Sequence, residues 1–167
     1  MNNIPSYDRH SIRLKGYNYS TAGFYFITIC TQDKKCIFGE IRNSEMIENN
    51  VGKEIKKWIN KIETKFQDVN CMDNIVMPNH IHCIIHLANH DINKLSSIIQ
   101  WFKTMTTNSY IKGVKENGWI PFQKRLWQRD YYEHIIRDSH EHEMIANYIN
   151  TNAQRWSEDC YYDNRII

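Results

Sequence analysis

Residues 77–85 (MPNHIHCII) constrain the fold more than any other segment, because they join a tight turn to an alternating strand. A Pro-Asn pair suits a chain reversal, and the Val, Ile and Cys residues around the two histidines favour a β-strand. Side chains on a strand alternate between faces, so His80 and His82 are predicted to project together while Ile81 and Cys83 point the other way.

Two imidazoles fixed on one strand can share a divalent metal ion, because neutral imidazole is a common ligand for such ions. The plainer interpretation is a partly exposed strand face that happens to carry two histidines. His86 continues the same alternation, but it would lie roughly 13 Å from His80 along the strand, too far to reach the same ion. A second element is therefore needed to favour the metal site.

The rest of the chain changes between strand and helix periodicity. Strands are predicted at about 24–30, 36–41, 69–77, 80–87 and 131–137, with 36–41 as the hairpin partner of 24–30. Apolar residues at spacings of three and four predict helices over 51–66 and from 95 to at least 105. Asp138 with Glu141 forms a capping pattern that opens a third helix. This order predicts an α+β domain, an antiparallel sheet with helices packed on it.

Size and composition limit the class of protein. A chain of 167 residues, 41% hydrophobic and 24% charged, is predicted to form a single domain spanning 1–167, with loose tails at about 1–8 and 157–167. No apolar run approaches a membrane span, and no signal peptide opens the chain. The five cysteines lack Cys-x-x-Cys spacing, which predicts neither a zinc site nor a disulfide framework and favours the cytoplasm.

The predicted C-terminal helix carries Tyr148 and Asn152 four positions apart. Four residues nearly complete one helical turn, so both side chains leave the same face. A nucleophile and a carbonyl oxygen could thus approach one ion together. By itself this spacing is common, and a tyrosine that faces the core is the ordinary interpretation.

Together with the histidine strand, this pair resembles the HUH single-tyrosine transposases, and most closely the REP-associated tyrosine transposases. Further blocks resemble that group in the same order along the chain, at residues 11–20, 26–32, 127–137 and 148–152. One departure is that Asn152 is followed by Ala153, where the family usually has Asn-Pro. Since proline stops helices, this change concerns how the helix ends more than the metal ligands.

The resemblance implies a ferredoxin-like HUH nuclease fold and an enzyme that cleaves and rejoins single-stranded, hairpin-bearing DNA. His80 and His82, with Asn152 as third ligand, would hold Mg²⁺ or Mn²⁺. Tyr148 would attack the phosphate, leaving a 5′-phosphotyrosine and a free 3′-hydroxyl. The REP-associated branch is expected to act as a monomer rather than a homodimer, with no protein partner required.

Basic residues interleaved with aromatic ones can bind phosphates while the rings stack on bases. The candidate DNA contacts are Arg9, Arg13, Lys15, Lys103, Arg125, Trp127, Arg129 and His134. A solvated charged face explains either basic cluster equally well.

Two other functions stay open. A metal-dependent phosphodiesterase would use water instead of tyrosine, and a nucleic-acid-binding module of the same fold would not need the intact site. A structural zinc protein is disfavoured, because no cysteine accompanies the histidines at suitable spacing. Among rival nucleophiles, Tyr131, Tyr132, Tyr161 and Tyr162 lack a ligand-type residue four positions later on a well-capped helix.

Overall fold

The computed structural model describes residues 21–89 and 95–162, which contain six strands and three α-helices. The elements are β1 (Gly23–Cys30), β2 (Gly39–Arg42), β3 (Glu45–Glu48), α1 (Asn50–Lys65), β4 (Val69–Val76), β5 (His80–Leu87), α2 (Leu95–Asn117), β6 (Tyr132–Ile136) and α3 (Ser139–Thr151). Short 3-10 helices lie at Gln32–Lys34 and Asn152–Glu158.

Four strands form the main sheet in the order β4-β5-β1-β6, and each neighbouring pair is antiparallel. Helix α1 joins β1 to β4 across β5, and α2 joins β5 to β6 across β1. These two interleaved βαβ units are the ferredoxin-like arrangement. The predicted α+β fold with an antiparallel sheet is therefore confirmed.

The sheet has helices on both faces. Helices α1 and α2 cover the face that buries Ile27 and Ile29 of β1 with Ile81 and Ile85 of β5. On the opposite face, Ile149 of α3 packs in a smaller cluster that includes Phe26 and Ile84. His80 and His82 alternate with Ile81 along β5, so they lie on the α3 face, as the sequence predicts.

The helix starts follow their capping residues. The Asn49 side chain accepts a hydrogen bond from the Gly52 amide at 3.0 Å at the start of α1. Asp138 does the same for the Glu141 amide at 2.8 Å, which confirms the predicted start of α3. Helix α2 continues well past residue 105, to Asn117.

The predicted pairing of residues 36–41 with β1 is wrong. Both edges of β1 are occupied by β5 and β6, and β2 pairs instead with β3, a strand that the sequence analysis did not identify. Asn43 and Ser44 join them with φ values of 50° and 63°. Positive φ at both central residues is typical of a tight β-hairpin turn.

The cysteines also differ from expectation. Cys71 of β4 and Cys83 of β5 are linked by a disulfide across neighbouring strands, whereas their spacing in the sequence predicted none. Strand pairing brings them together, and a search for short cysteine motifs does not reveal it. No helix within residues 21–89 and 95–162 combines the length and apolar character needed to cross a membrane.

Trp127 was predicted as a DNA-stacking residue, and its position contradicts this. The side chain is only 3% exposed and belongs to the main core, where its ring lies 5.3 Å from that of Phe38 and 5.8 Å from that of Phe102. Its indole Nε1 donates a 2.9 Å hydrogen bond to Thr106 Oγ1. A ring enclosed in this way has no free face for a base.

We expect Trp127→Ala to lower the free energy of unfolding by about 3–5 kcal/mol, because it opens a large core cavity. Arg125→Ala, two residues away on the surface, should change it by less than about 0.5 kcal/mol. Urea denaturation followed by far-UV circular dichroism measures both. Equally small effects for the two variants would contradict the buried position of Trp127.

Candidate functional site

The site is built on the start of β5, directly after Asn79. The register with β1 places His82 opposite Thr28 and His80 opposite Cys30, in the centre of the sheet. Both imidazoles are buried, and their Nε2 atoms lie 3.0 Å apart. The strand therefore holds two imidazole nitrogens at one point, as the alternation of the sequence predicts.

Hydrogen bonds on the far side of each ring fix its orientation. The Asn79 amide nitrogen donates to the carbonyl oxygens of Lys34 at 3.0 Å and Tyr161 at 2.9 Å. Its oxygen is thereby left to accept from His80 Nδ1 at 2.8 Å. His82 Nδ1 lies 2.8 Å from Thr28 Oγ1. A proton on His80 Nδ1 leaves its Nε2 with a lone pair, the form that binds a metal.

Burial keeps both rings neutral. Loss of solvent, together with the nearby Lys34 cation, lowers the pKa of His80 from 6.5 to about 3. Burial and the neighbouring imidazole hold the pKa of His82 well below its ordinary value. At neutral pH the pair is uncharged and able to donate electron pairs to a cation.

Helix α3 brings Tyr148 and Asn152 to this pair, as their four-residue spacing predicts. The Tyr148 hydroxyl lies 3.3 Å from His82 Nε2. Asn152, directly after the last residue of α3, is buried and donates from Nδ2 to Asp159 Oδ2 at 2.9 Å. Its Oδ1 is buried without a hydrogen-bond partner among the described residues. An unpaired buried oxygen is the kind of atom that a metal ion satisfies.

The chain then turns back over the site, so the expected loose tail is wrong for residues 157–162. After the 3-10 helix, the Asp159 side chain is 1% exposed, with Oδ2 4.0 Å from His80 Nε2 and 3.4 Å from the Tyr148 hydroxyl. The Tyr161 ring lies 4.7 Å from the His80 ring. No sequence pattern reveals Asp159 as a site residue, because the residues after Asn152 show no helix or strand periodicity from which its position could be predicted.

The environment of Tyr148 disfavours its ionised form. Burial raises the pKa of the Tyr148 hydroxyl well above its ordinary value, and the Asp159 carboxylate raises it further. A protonated phenol is a weak nucleophile, so this residue needs a cation or a base close to its oxygen.

The donor set fits a divalent ion. One ligand atom each from His80, His82 and Asp159 lies within 4.8 Å of the others, the single such group found in the described part of the chain. Adjacent ligands of an octahedral ion, each bound at about 2.1 Å, are separated by about 3 Å. The 3.0 Å between the two Nε2 atoms matches that separation.

The predicted DNA contacts fall into three groups. Arg9, Arg13 and Lys15 lie outside the described residues. Arg125 and Arg129 are exposed, on a segment that runs beside the end of β1, where the Gln128 amide donates to the Cys30 carbonyl at 2.9 Å. Because Cys30 pairs with His80, these two arginines flank the histidine end of the sheet.

Lys103 and His134 have partners within the protein. Lys103 Nζ donates to the carbonyls of residues 128, 129 and 130 at 2.9, 3.1 and 3.3 Å, and burial lowers its pKa to about 8. All three protons of the ammonium group are thus donated to backbone carbonyls. This contradicts the prediction that Lys103 is free to contact a DNA phosphate. His134 Nε2 lies 2.7 Å from a Glu141 carboxylate oxygen. His86 shares the site face as predicted, but it stacks on Phe24 at 4.3 Å.

Similarity to known proteins defines the class to which this protein belongs. Residues 28–152 match the family described as IS200-like transposase, and the chain belongs to this family of DNA-processing enzymes. An uncharacterized protein of Haemophilus influenzae is 36% identical over 173 residues, covering 96% of each chain. Another protein of that organism, provisionally named a REP-associated tyrosine transposase, is 23% identical over 141 residues, covering 79% of this chain and 69% of that protein.

Two solved structures share the fold. A REP-associated tyrosine transposase bound to a REP hairpin has a TM-score of 0.60 at 19% identity, covering 93% of this chain and 74% of that one. A Deinococcus radiodurans protein provisionally described as a transposase has a TM-score of 0.51 at 17% identity, with coverage of 84% and 96%. The resemblance and the HUH fold predicted from the sequence are confirmed.

In the metal-free protein we expect the free energy of unfolding to fall as pH drops below about 6.5. The unfolded chain takes up a proton at His80 near pH 6.5, whereas the folded state holds that pKa at about 3. The unfolded state therefore binds more protons within this window, and stability present above it is lost as pH falls. The slope should be about 1.4 kcal/mol per pH unit for each buried histidine.

Urea denaturation at several pH values in the presence of a chelator tests this slope. His80→Asn should reduce it. Identical slopes for wild type and His80→Asn would contradict the expected acid sensitivity of the site.

Proposed function

We propose that this protein is a metal-dependent enzyme that cleaves and rejoins single-stranded, hairpin-bearing DNA through a 5′-phosphotyrosine intermediate. The observation that carries the proposal is the Tyr148 hydroxyl, 3.3 Å from Nε2 of the buried His82. Membership of the IS200-like transposase family supports it. The REP hairpin bound to the structural neighbour supports the class of substrate.

His80 and His82, with Asn152 through its unpaired Oδ1, would hold Mg²⁺ or Mn²⁺. A bound ion would polarise the scissile phosphate and favour loss of the tyrosyl proton. The amide oxygen of Asn152 suits either of these ions, and the neutral imidazoles suit Mn²⁺ better than Mg²⁺. Within the protein, Thr28 and Asn79 orient the two rings through their Nδ1 atoms.

Tyr148 performs the transfer. Its oxygen forms a bond to phosphorus as the bond from phosphorus to the 3′ oxygen breaks, and the phenolic proton ends on that 3′ oxygen. The products are a 5′-phosphotyrosine and a 3′-hydroxyl. Because the phosphodiester energy is kept in the tyrosyl bond, attack by a 3′-hydroxyl can reverse the step without ATP.

A single chain suffices for this chemistry. Within one molecule Tyr148 lies beside His82, and Asn152 is hydrogen-bonded to Asp159, whose carboxylate lies 4.0 Å from His80 Nε2. Neither a second subunit nor a protein partner is therefore needed to assemble the site. We therefore propose that the active protein is a monomer.

Replacing Tyr148 with Phe tests the nucleophile, with Tyr161→Phe as the matched control. We expect Tyr148→Phe to lose the covalent DNA adduct completely while still binding DNA, because only one hydroxyl is removed. Tyr161→Phe should keep the adduct, since Tyr161 contacts His80 through its ring. Incubation with hairpin-flanked single strands and Mn²⁺, followed by denaturing electrophoresis and peptide mass mapping, reads both. Cleavage without an adduct in wild type would favour the phosphodiesterase that uses water.

Arg125 and Arg129 are proposed to contact the phosphates of the bound strand. Each contact with a single strand contributes a slope of about 0.7 in the dependence of log affinity on log salt concentration. We expect Arg125→Ala and Arg129→Ala each to reduce that slope by about this amount, whatever the sequence of the strand. Fluorescence anisotropy at several salt concentrations measures it.

Lys57→Ala provides the control, because this exposed lysine lies on α1, across the sheet from the site. An unchanged slope for both arginine variants, or an equal change for Lys57→Ala, would remove these arginines from the DNA interface.

A further inference from the structure

The ligands predicted from the sequence lack a negative charge. His80 and His82 would bind a metal through neutral imidazole nitrogens, and Asn152 offers only an amide oxygen. Mg²⁺ and Mn²⁺ are hard cations that favour carboxylate oxygens, and Mg²⁺ sites in proteins are usually built on one or two carboxylates. A site made from three neutral donors would hold such an ion weakly.

Asp159 places a carboxylate at this point. The Tyr161 amide donates to Oδ1 at 2.7 Å, which fixes the side chain to its own backbone turn. Oδ2 is then directed inward, at 4.0 Å from His80 Nε2 and 2.9 Å from Asn152 Nδ2. The carboxylate is thus oriented by the chain before any ion binds.

The hydrogen-bond partners of this carboxylate are neutral, and nearby Lys34 donates instead to the Cys160 carbonyl at 2.9 Å. Among the described residues, the hydrogen bonds to the carboxylate come from the Tyr161 amide, the Asn152 amide and the Tyr148 hydroxyl, all of which are neutral. The side chain is 1% exposed, so water does not compensate. Buried carboxylates in proteins are normally paired with a cation or coordinate a metal.

We propose that Asp159 is the anionic ligand of the divalent ion, with Oδ2 as donor, and that Asn152 holds it in place through Nδ2. This assignment rests on the proposed function, because it extends the same metal site. It gives the segment after α3 a direct part in the site. A complete ligand set then requires the chain to extend beyond the nucleophile helix by at least eight residues, from Thr151 to Asp159.

Binding of Mn²⁺ to the full chain without DNA tests the assignment, read from the electron paramagnetic resonance signal of free Mn²⁺. Loss of residues that merely support metal ligands costs about 10- to 100-fold in affinity, so Asp159→Asn should cost at least about tenfold. Glu158→Gln removes the same charge one residue away, at a side chain that is 68% exposed, and should bind as wild type does.

His82→Ala separates the two possible failures. If His82→Ala loses Mn²⁺ and Asp159→Asn keeps wild-type affinity, Asp159 is not a ligand while the histidine site stands. If wild type binds no Mn²⁺, or His82→Ala binds it unchanged, the metal site of the proposed function is itself wrong, and Asp159 with it.

A second variant keeps the test valid if Asp159→Asn unfolds. Asp159→Cys replaces the carboxylate with a thiolate, which prefers soft ions. We expect added Cd²⁺ to produce a thiolate-to-cadmium absorption band in this variant beyond that of wild type. Glu158→Cys, with its thiol on the surface, should give no such increase at equal Cd²⁺. Equal bands in the two cysteine variants would overturn the assignment.

Discussion

The register between β1 and β5 is the constraint on which the site depends. It sets Thr28 against His82 and directs the two histidines away from the α1–α2 core. Since side chains alternate with a period of two, a slip by one residue would bury the imidazoles under the helices and bring Ile81 to the site. The apolar residues of both strands prevent that slip, because their burial beneath α1 and α2 would be lost.

Helix α3 depends on the same sheet for its orientation. Ile149, fully buried with Phe26 and Ile84, fixes the rotation of the helix about its axis. With that rotation set, Tyr148 and Asn152, four residues apart, face the histidine pair together. One apolar contact therefore positions both polar side chains, and neither has to fold into place separately.

The parts of the fold that follow a local period could be predicted from the sequence, and those that depend on distant pairing could not. Alternation placed His80 and His82 on one face, and helical spacing placed Tyr148 near them. Trp127 looked like a stacking residue because basic residues flank it, yet the folded chain encloses its ring in the main core while Arg125 and Arg129 stay exposed. Asp159 follows an aperiodic turn, so only the folded chain shows that it reaches His80.

The geometry of the site also bears on whether tyrosine or water would be the nucleophile. The Tyr148 oxygen lies within hydrogen-bonding distance of His82 Nε2, the place that an attacking water would need. Burial keeps this phenol protonated, since it raises the pKa of Tyr148, so the hydroxyl is unreactive until a cation stabilises its anion. A nucleophile held inactive in this way gains reactivity only when metal and phosphate are both present. Such coupling suits the proposed cleavage and rejoining of one DNA strand, because attack by water from that position would make cleavage irreversible.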